Sequence, residues 1–134
     1  MLKKTLESFQ KLSNAAAAMT PPAAAVRTAN PEFTRIYISG KISGLHTENA
    51  RQNFQFAERE LRTFHNPDEV VNPFNIRPLL GIRSWIFYMI SDIREQSTCT
   101  HSAFMYNWRE SRGAVIEYFF ARFIFKQNII WLPS

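Results

Sequence analysis

The residues best suited to chemistry stand in the segment Trp108-Arg109-Glu110-Ser111-Arg112-Gly113-Ala114-Val115-Ile116-Glu117. A helix that begins after Ser111 exposes free backbone donors, so Ser111, Arg112 and Gly113 make a candidate anion site. Glu117 falls one helical turn beyond Gly113 on the same face. Val115, Ile116, Tyr118, Phe119, Phe120 and Phe123 surround it, and a carboxylate facing the sheet from so apolar a helix needs a function or a partner. A solvent-facing Glu117 is the equal alternative. The earlier run Tyr37-Ile38-Ser39-Gly40-Lys41-Ile42-Ser43-Gly44 holds two glycines that allow close backbone approach, with Lys41 and Ser43 able to contact an anion. It lacks the Gly-Lys-Ser/Thr ending of a Walker loop. Asp92, in Tyr88-Met89-Ile90-Ser91-Asp92-Ile93-Arg94, reads by itself as an ordinary helix-surface acid.

Positioning these groups is the task of alternating strands and helices. Arg35–Ser39 is β-branched and aromatic and ends at Gly40, which predicts a strand entering a loop. From Asn49 to about His65, Phe54, Ala57, Leu61 and Phe64 share one face of an amphipathic helix. Glu69–Asn72 is a short strand stopped by Pro73, and a Pro/Gly loop follows through Gly81. Ser84 is placed to cap a second helix reaching Thr98. His101–Tyr106 reads as a third strand, Ser111 caps a third helix over Arg112–Lys126, and Asn128–Leu132 is the fourth strand. This alternation predicts a small doubly wound, flavodoxin-like α/β domain with a parallel sheet in order 2-1-3-4 and helices on both faces. Ligands of such folds sit beyond the carboxyl ends of the strands where the order reverses. The loops Gly40–Thr47 and Asn107–Ser111 should therefore face each other across the site.

Hydrophobic residues form 46% of the 134-residue chain and aromatics 14%, enough for a core and against wholesale disorder. The net charge of +5 is scattered rather than gathered into a stripe, so binding to a nucleic-acid polymer is not indicated, and a small anion suits it as well. Cys99 is the single cysteine, which precludes an intrachain disulfide; it reads as a small buried residue near a helix end. His46, His65 and His101 lack the spacing of a metal site. No apolar stretch nears the roughly 20 residues that span a bilayer, and a cytoplasmic location is expected. Residues 1–33 differ from the rest. Leu2, Leu6 and Phe9 suggest a short amphipathic helix, and the alanines around Pro21-Pro22 suggest a flexible tail, read as a leader or vector-derived extension. The domain is expected over residues 34–134.

Tyr-x-Ser-Gly after the first strand, Val-Asn-Pro after the second, Asp92 in the second helix and Ser-Arg-Gly-x-x-x-Glu opening the last together resemble the nucleoside 2-deoxyribosyltransferase superfamily. More narrowly, they resemble a small uncharacterised branch common in bacteria and their phages. The resemblance runs from about Arg35 to Pro133, and its most specific part is Trp-x-x-Ser-Arg-Gly-x-x-x-Glu. It implies a nucleophilic Glu117 attacking the anomeric carbon of a deoxyribose. It implies an Asp92 that assists at base or sugar, and a Tyr37 that orients the nucleophile. Ser111 matches the position where the nucleotide hydrolase branch has serine beside a 5′-phosphate. Ser39, Gly40, Lys41, Ser43, Asn72, Trp108, Arg112 and Gly113 complete the expected substrate-binding set. Three departures stand out: the hydrolases' phosphate-binding arginine falls on Ser43, with Lys41 and Arg112 as substitutes for its charge, the acid usual at the start of the third strand falls on Thr100, and the domain is shorter than most transferases.

Cleavage of an N-glycosidic bond, or deoxyribosyl transfer, on a 2′-deoxynucleoside 5′-monophosphate is the activity this implies, through a covalent Glu intermediate. Two carboxyls and a phenol suffice for it, so no cofactor or metal is expected. A protein that senses a nucleotide without turning it over is the alternative from another class, since doubly wound domains host many functions. The third helix is apolar around most of its girth, and Trp85, Ile86, Phe87 and Tyr88 give the second a similar surplus. A homodimer or larger homo-oligomer packed through these helices is expected. The resemblance also implies oligomers whose sites borrow a residue from a neighbouring subunit.

Overall fold

A computed structural model describes residues 33–133. The tail expected over residues 1–33 falls almost wholly outside them. Strand β1 (Arg35–Ser39) alternates its side chains between two faces, as any extended strand must. Ile36 and Ile38 enter one core with Phe54, Ala57 and Leu61 of helix α1 (Thr47–His65). Tyr37 and Ser39 face the other side, toward the remaining two helices. Strands β2 (Glu69–Val71), β3 (His101–Phe104) and β4 (Asn128–Trp131) complete a four-stranded parallel sheet in the order β2-β1-β3-β4. In its register Tyr37 lies between Val71 and Ser102, and Ser39 opposite Phe104. Fold class and strand order are as the alternation predicts.

Helix α2 (Trp85–Ser97) and helix α3 (Arg112–Phe119) share a core of Met89, Ile93, Ile116, Phe120 and Phe125. Ser111 caps α3 as expected, its Oγ accepting from the Ala114 amide at 3.2 Å. Ser84 precedes α2 without capping it, since its Oγ makes no cap bond and is buried without a partner among the described residues. The third helix was expected to run unbroken to Lys126. Instead it widens to a π-helix over Phe120–Ile124, where the Phe125 amide reaches the Phe120 carbonyl at 2.7 Å. Phe120, Ala121 and Phe125 are all buried across this wider turn.

Strand ends also move inward. Asn72 leaves β2 to cap the 3₁₀ turn Pro73–Asn75, and Met105 and Tyr106 leave β3 although the Met105 amide still bonds the Ser39 carbonyl at 2.9 Å. β4 stops at Trp131, and α1 starts at Thr47 rather than Asn49. Phe64 was expected on the buried face of α1 but is 73% exposed, because it lies in the last turn, past the sheet that covers Leu61. Cys99 is buried, and burial pushes its thiol up to about 12, as fits a packing residue. No helix among the described residues is long and apolar enough to cross a membrane.

Candidate functional site

The reversal of strand order falls between β1 and β3, and the side chains on that sheet face point at α3. Tyr37 and Ser39, two residues apart, both reach Glu117. The Tyr37 hydroxyl donates to Glu117 Oε2, and Ser39 Oγ donates to Oε1 at 2.7 Å. Glu117 is only 4% exposed, so its solvent-facing reading is excluded. Its carboxylate is partnered by two hydroxyls of one strand and, among the described residues, by no cation.

That environment sets opposing demands on the charge. Burial pushes Glu117 up to about 7, while the hydrogen bonds from Tyr37 and Ser39 hold it back. Asp92, the surface acid of the sequence reading, instead lines the same cavity, with Oδ1 shut from solvent and unbonded among the described residues. Burial, then the facing charge of Glu117, then that of Glu95 raise its carboxyl well above the usual carboxylate range. Tyr37 is likewise held well above an ordinary phenol by burial and by Asp92 and Glu117. The arrangement is therefore a pair of carboxyls that both resist ionisation, Glu117 with its midpoint at about 7 and Asp92 held above the usual carboxylate range. Carboxyls paired in this way can divide acid and base roles.

These groups lie in a cavity of about 730 Å³ at the carboxyl ends of β1 and β3. Gly40 and Ser43 enter from the first loop and Ser111, Arg112 and Gly113 from the start of α3, so the two expected loops do face each other. Glycine at position 40 lets the loop approach Met105 closely, since a Cβ there would lie 2.5 Å from Met105 Sδ and 3.1 Å from Met105 Cβ and would force Met105 to shift. Ser111 Oγ accepts from a backbone amide, which leaves its hydroxyl hydrogen for another acceptor. The Arg112 guanidinium lies 3.8 Å over the Trp85 ring, both bordering the cavity.

Four expected binding residues are placed elsewhere. Ser39 is fully buried beneath the cavity and contacts Glu117 rather than the cavity space. Lys41 does not border it; its backbone amide donates to Asn107 Oδ1 at 3.1 Å, which ties the two loops together. Asn72 turns its side chain to the Phe74 amide at 3.0 Å. Trp108 joins an aromatic cluster with Phe104, Tyr118 and Trp131, with ring centroids 4.9–5.7 Å from its own.

The sequence reading missed the apolar wall. Phe54, Phe74, Trp85, Tyr88 and Met89 all border the cavity, and so does the acid Glu110 at the mouth. A signal for part of that wall was present. Trp85, Tyr88, Met89 and Asp92 recur at the spacing of one helical face, which places Asp92 in an apolar stripe rather than on a solvated one. Phe54 was assigned to the core, and the contribution of Phe74 depends on the 3₁₀ turn that Asn72 caps. No curated protein and no solved structure matches this chain. A family model does match, over residues 34–130, the span that holds every residue of the cavity and the sheet except for Trp131, and on that match the chain belongs to the family described as a domain of unknown function, DUF4406.

Proposed function

We propose that the protein cleaves the N-glycosidic bond of a 2′-deoxynucleoside 5′-monophosphate, with Glu117 as the nucleophile. The observation that carries this reading is the buried carboxylate of Glu117 gripped by Tyr37 and Ser39, in one cavity with a second, half-buried acid, Asp92, whose Oδ1 is shut from solvent. Glu117 Oε attacks the anomeric carbon while the bond to the base nitrogen breaks and its electron pair leaves with the base. Asp92 delivers its proton to that nitrogen as general acid. The resulting deoxyribosyl ester of Glu117 is opened by water, whose proton returns to Asp92, which releases the sugar phosphate and frees Glu117. A second base in place of water would give transfer. Tyr37 and Ser39 aim the carboxylate and, as donors, accept the charge that returns to it when the ester opens.

Aromatic walls from Phe74, Trp85 and Tyr88 suit a planar base, and Ser111 with Arg112 at the start of α3 suits a terminal phosphate. Glu110 at the mouth opposes that anion, and Arg112 offsets it. Chromatography of deoxynucleoside 5′-monophosphates incubated with the protein should show free base and sugar phosphate. Glu117→Ala should abolish release, since the covalent step has no other carboxylate at that position. Base release by Glu117→Ala at the parent rate would refute the mechanism. Ser111→Ala should mainly raise KM for the phosphorylated substrate, by about tenfold for a lost hydrogen bond to a charged group.

A further inference from the structure

Gln96 is fully buried in the last turn of α2, and its amide nitrogen donates at 3.0 Å to the main-chain carbonyl of Glu117. The same nitrogen donates at 3.0 Å to Ser102 Oγ on β3. Partners fix the direction of the whole chain of bonds. Gln127 Nε2 lies against two carbonyls, those of Gln96 at 2.6 Å and Cys99 at 2.9 Å, so the nitrogen must be the donor there. Gln127 Oε1 is therefore an acceptor, and the Ser102 hydroxyl donates to it at 2.5 Å. Ser102 is then left with lone pairs for the Gln96 nitrogen. Gln96, Ser102 and Gln127 thus form a buried polar network in which every proton has one place, and it ends on the backbone of Glu117.

One feature of the network is costly. Gln96 Oε1 is buried without a hydrogen-bond partner among the described residues, and an unmet buried acceptor opposes folding by about 1–3 kcal/mol. An apolar side chain of similar size would escape that cost. What glutamine supplies is the pair of donated bonds, one of which sets where the Glu117 backbone sits. That point is three residues before the helix widens at Phe120, so α3 is held there from the side rather than by its own regular turns alone. Glu117 is then fixed at both ends, its carboxylate by β1 and its carbonyl by α2. A reacting carboxylate misplaced by about 1 Å can lose about a hundredfold in rate.

We propose that Gln96 is a positioning residue for Glu117, acting through the main chain from outside the cavity, an inference that rests on Glu117 being the working carboxylate. Removing its donor lets α3 shift and slackens the hydroxyl contacts of Glu117, while the groups that face the carboxyl, Tyr37 on β1 and Asp92 on α2, remain.

Titration of the Glu117 carboxyl by carbon NMR in the full chain without substrate tests this independently of any reaction. In Gln96→Leu the Glu117 titration should move upward by about one pH unit, and kcat for base release should fall about tenfold or more with KM nearly unchanged. Gln127→Leu breaks the same network and should lower Tm to a similar degree, yet it spares the Gln96 to Glu117 bond and should leave the titration in place. Gln96→Met, nearly equal in volume, reads the same titration if the leucine variant does not fold. An unmoved Glu117 titration in a folded Gln96 variant, or an equal shift in Gln127→Leu, would overturn the proposal. A parent protein that releases no base, but whose Glu117 titration responds to Gln96, would refute the glycosidic reading and leave the positioning role standing.

Discussion

Burial opposes the charge of Glu117 and two hydroxyls favour it, and the balance has consequences for stability as well as for reaction. The carboxyl has a usual value of 4.5 and is pushed up to about 7 in the folded chain. Below pH 4.5 it is protonated folded or unfolded, and its burial costs nothing extra. Between 4.5 and about 7 the unfolded chain loses the proton and the folded chain keeps it, so folding stability falls; above 7 the loss is complete. The size of that loss is about 3 kcal/mol at most. Glu117→Gln should therefore unfold at higher urea than the parent at about pH 8 and match it near pH 4.5. Parallel stability curves for the two proteins would sink this account of the site. Catalysis should follow the same pair from the other side. kcat/KM should rise with an apparent pKa near 7, as Glu117 ionises, and a falling limb should mark the loss of the proton of Asp92, whose carboxyl is also held above the usual carboxylate range. Asp92→Asn should lower the rate and erase the falling limb; a limb that persists in that variant would remove Asp92 from the acid's role.

At the scale of elements, two glycines carry the approach of chain segments and differ in how strictly they do so. At Gly40 a methyl group would strike Met105 at Sδ, Cβ and Cγ, and the Cβ is tied to backbone that itself bonds Ser39. Gly40→Ala should destabilise by about 1–3 kcal/mol in urea unfolding, as overpacking does. At Gly113 the nearest atom is Met89 Sδ at 3.0 Å, the far part of a flexible side chain, so Gly113→Ala should change stability by less than about 1 kcal/mol. A reversed order of the two costs would show that the loop, not the helix, can yield. The elements themselves were legible because their signals are local: the alternation of Arg35–Ser39, the capping serine before Arg112, the apolar face of Phe54, Ala57 and Leu61. The π-helix over Phe120–Ile124 was not, since Ala121-Arg122-Phe123 carries no breaker and the widening is settled by what Phe120 and Phe125 pack against. The site divides in the same way. The order of Tyr37, Asp92, Ser111 and Glu117 along the chain marked them out, and strand period plus helix period suffices to bring Tyr37, Ser39 and Glu117 together. Asn72 and Trp108 carry similar local signals, yet a cap to Phe74 and an aromatic cluster across β3, α3 and β4 claim their side chains. Those contacts depend on tertiary neighbours no spacing rule contains.

For the molecule as a whole, the outer surface of α3 remains the outstanding demand. Val115, Phe119 and Phe123 form a stripe along α3 and the π-helix that continues it. Val115 is 43% exposed and Phe123 59%, with half-buried Phe119 between them and its ring 5.2 Å from that of Phe123. Tyr88 of α2 adds to the apolar surface of the two helices, 39% exposed. Single exposed apolar residues are ordinary, but a continuous stripe on a helix whose other face is already buried against the sheet is not. A domain of about 100 residues buries only about 60–70% of its chain surface, so it has little left with which to cover that stripe from within. A second copy of the chain, its α3 set antiparallel against the first, would match the stripe to itself by a two-fold axis. The expected mass by light scattering at micromolar concentration is accordingly twice the 15.6 kDa of the chain. Phe123→Glu places a charge at the end of that stripe, within the contact, and should return the monomer without unfolding it, because Phe123 does not belong to the core of Met89, Ile93, Ile116, Phe120 and Phe125. A parent that scatters as a clean 15.6 kDa monomer refutes the dimer. A dimer that survives Phe123→Glu moves the contact to another exposed apolar pair, Phe56 and Phe64 on α1, at the far face of the sheet.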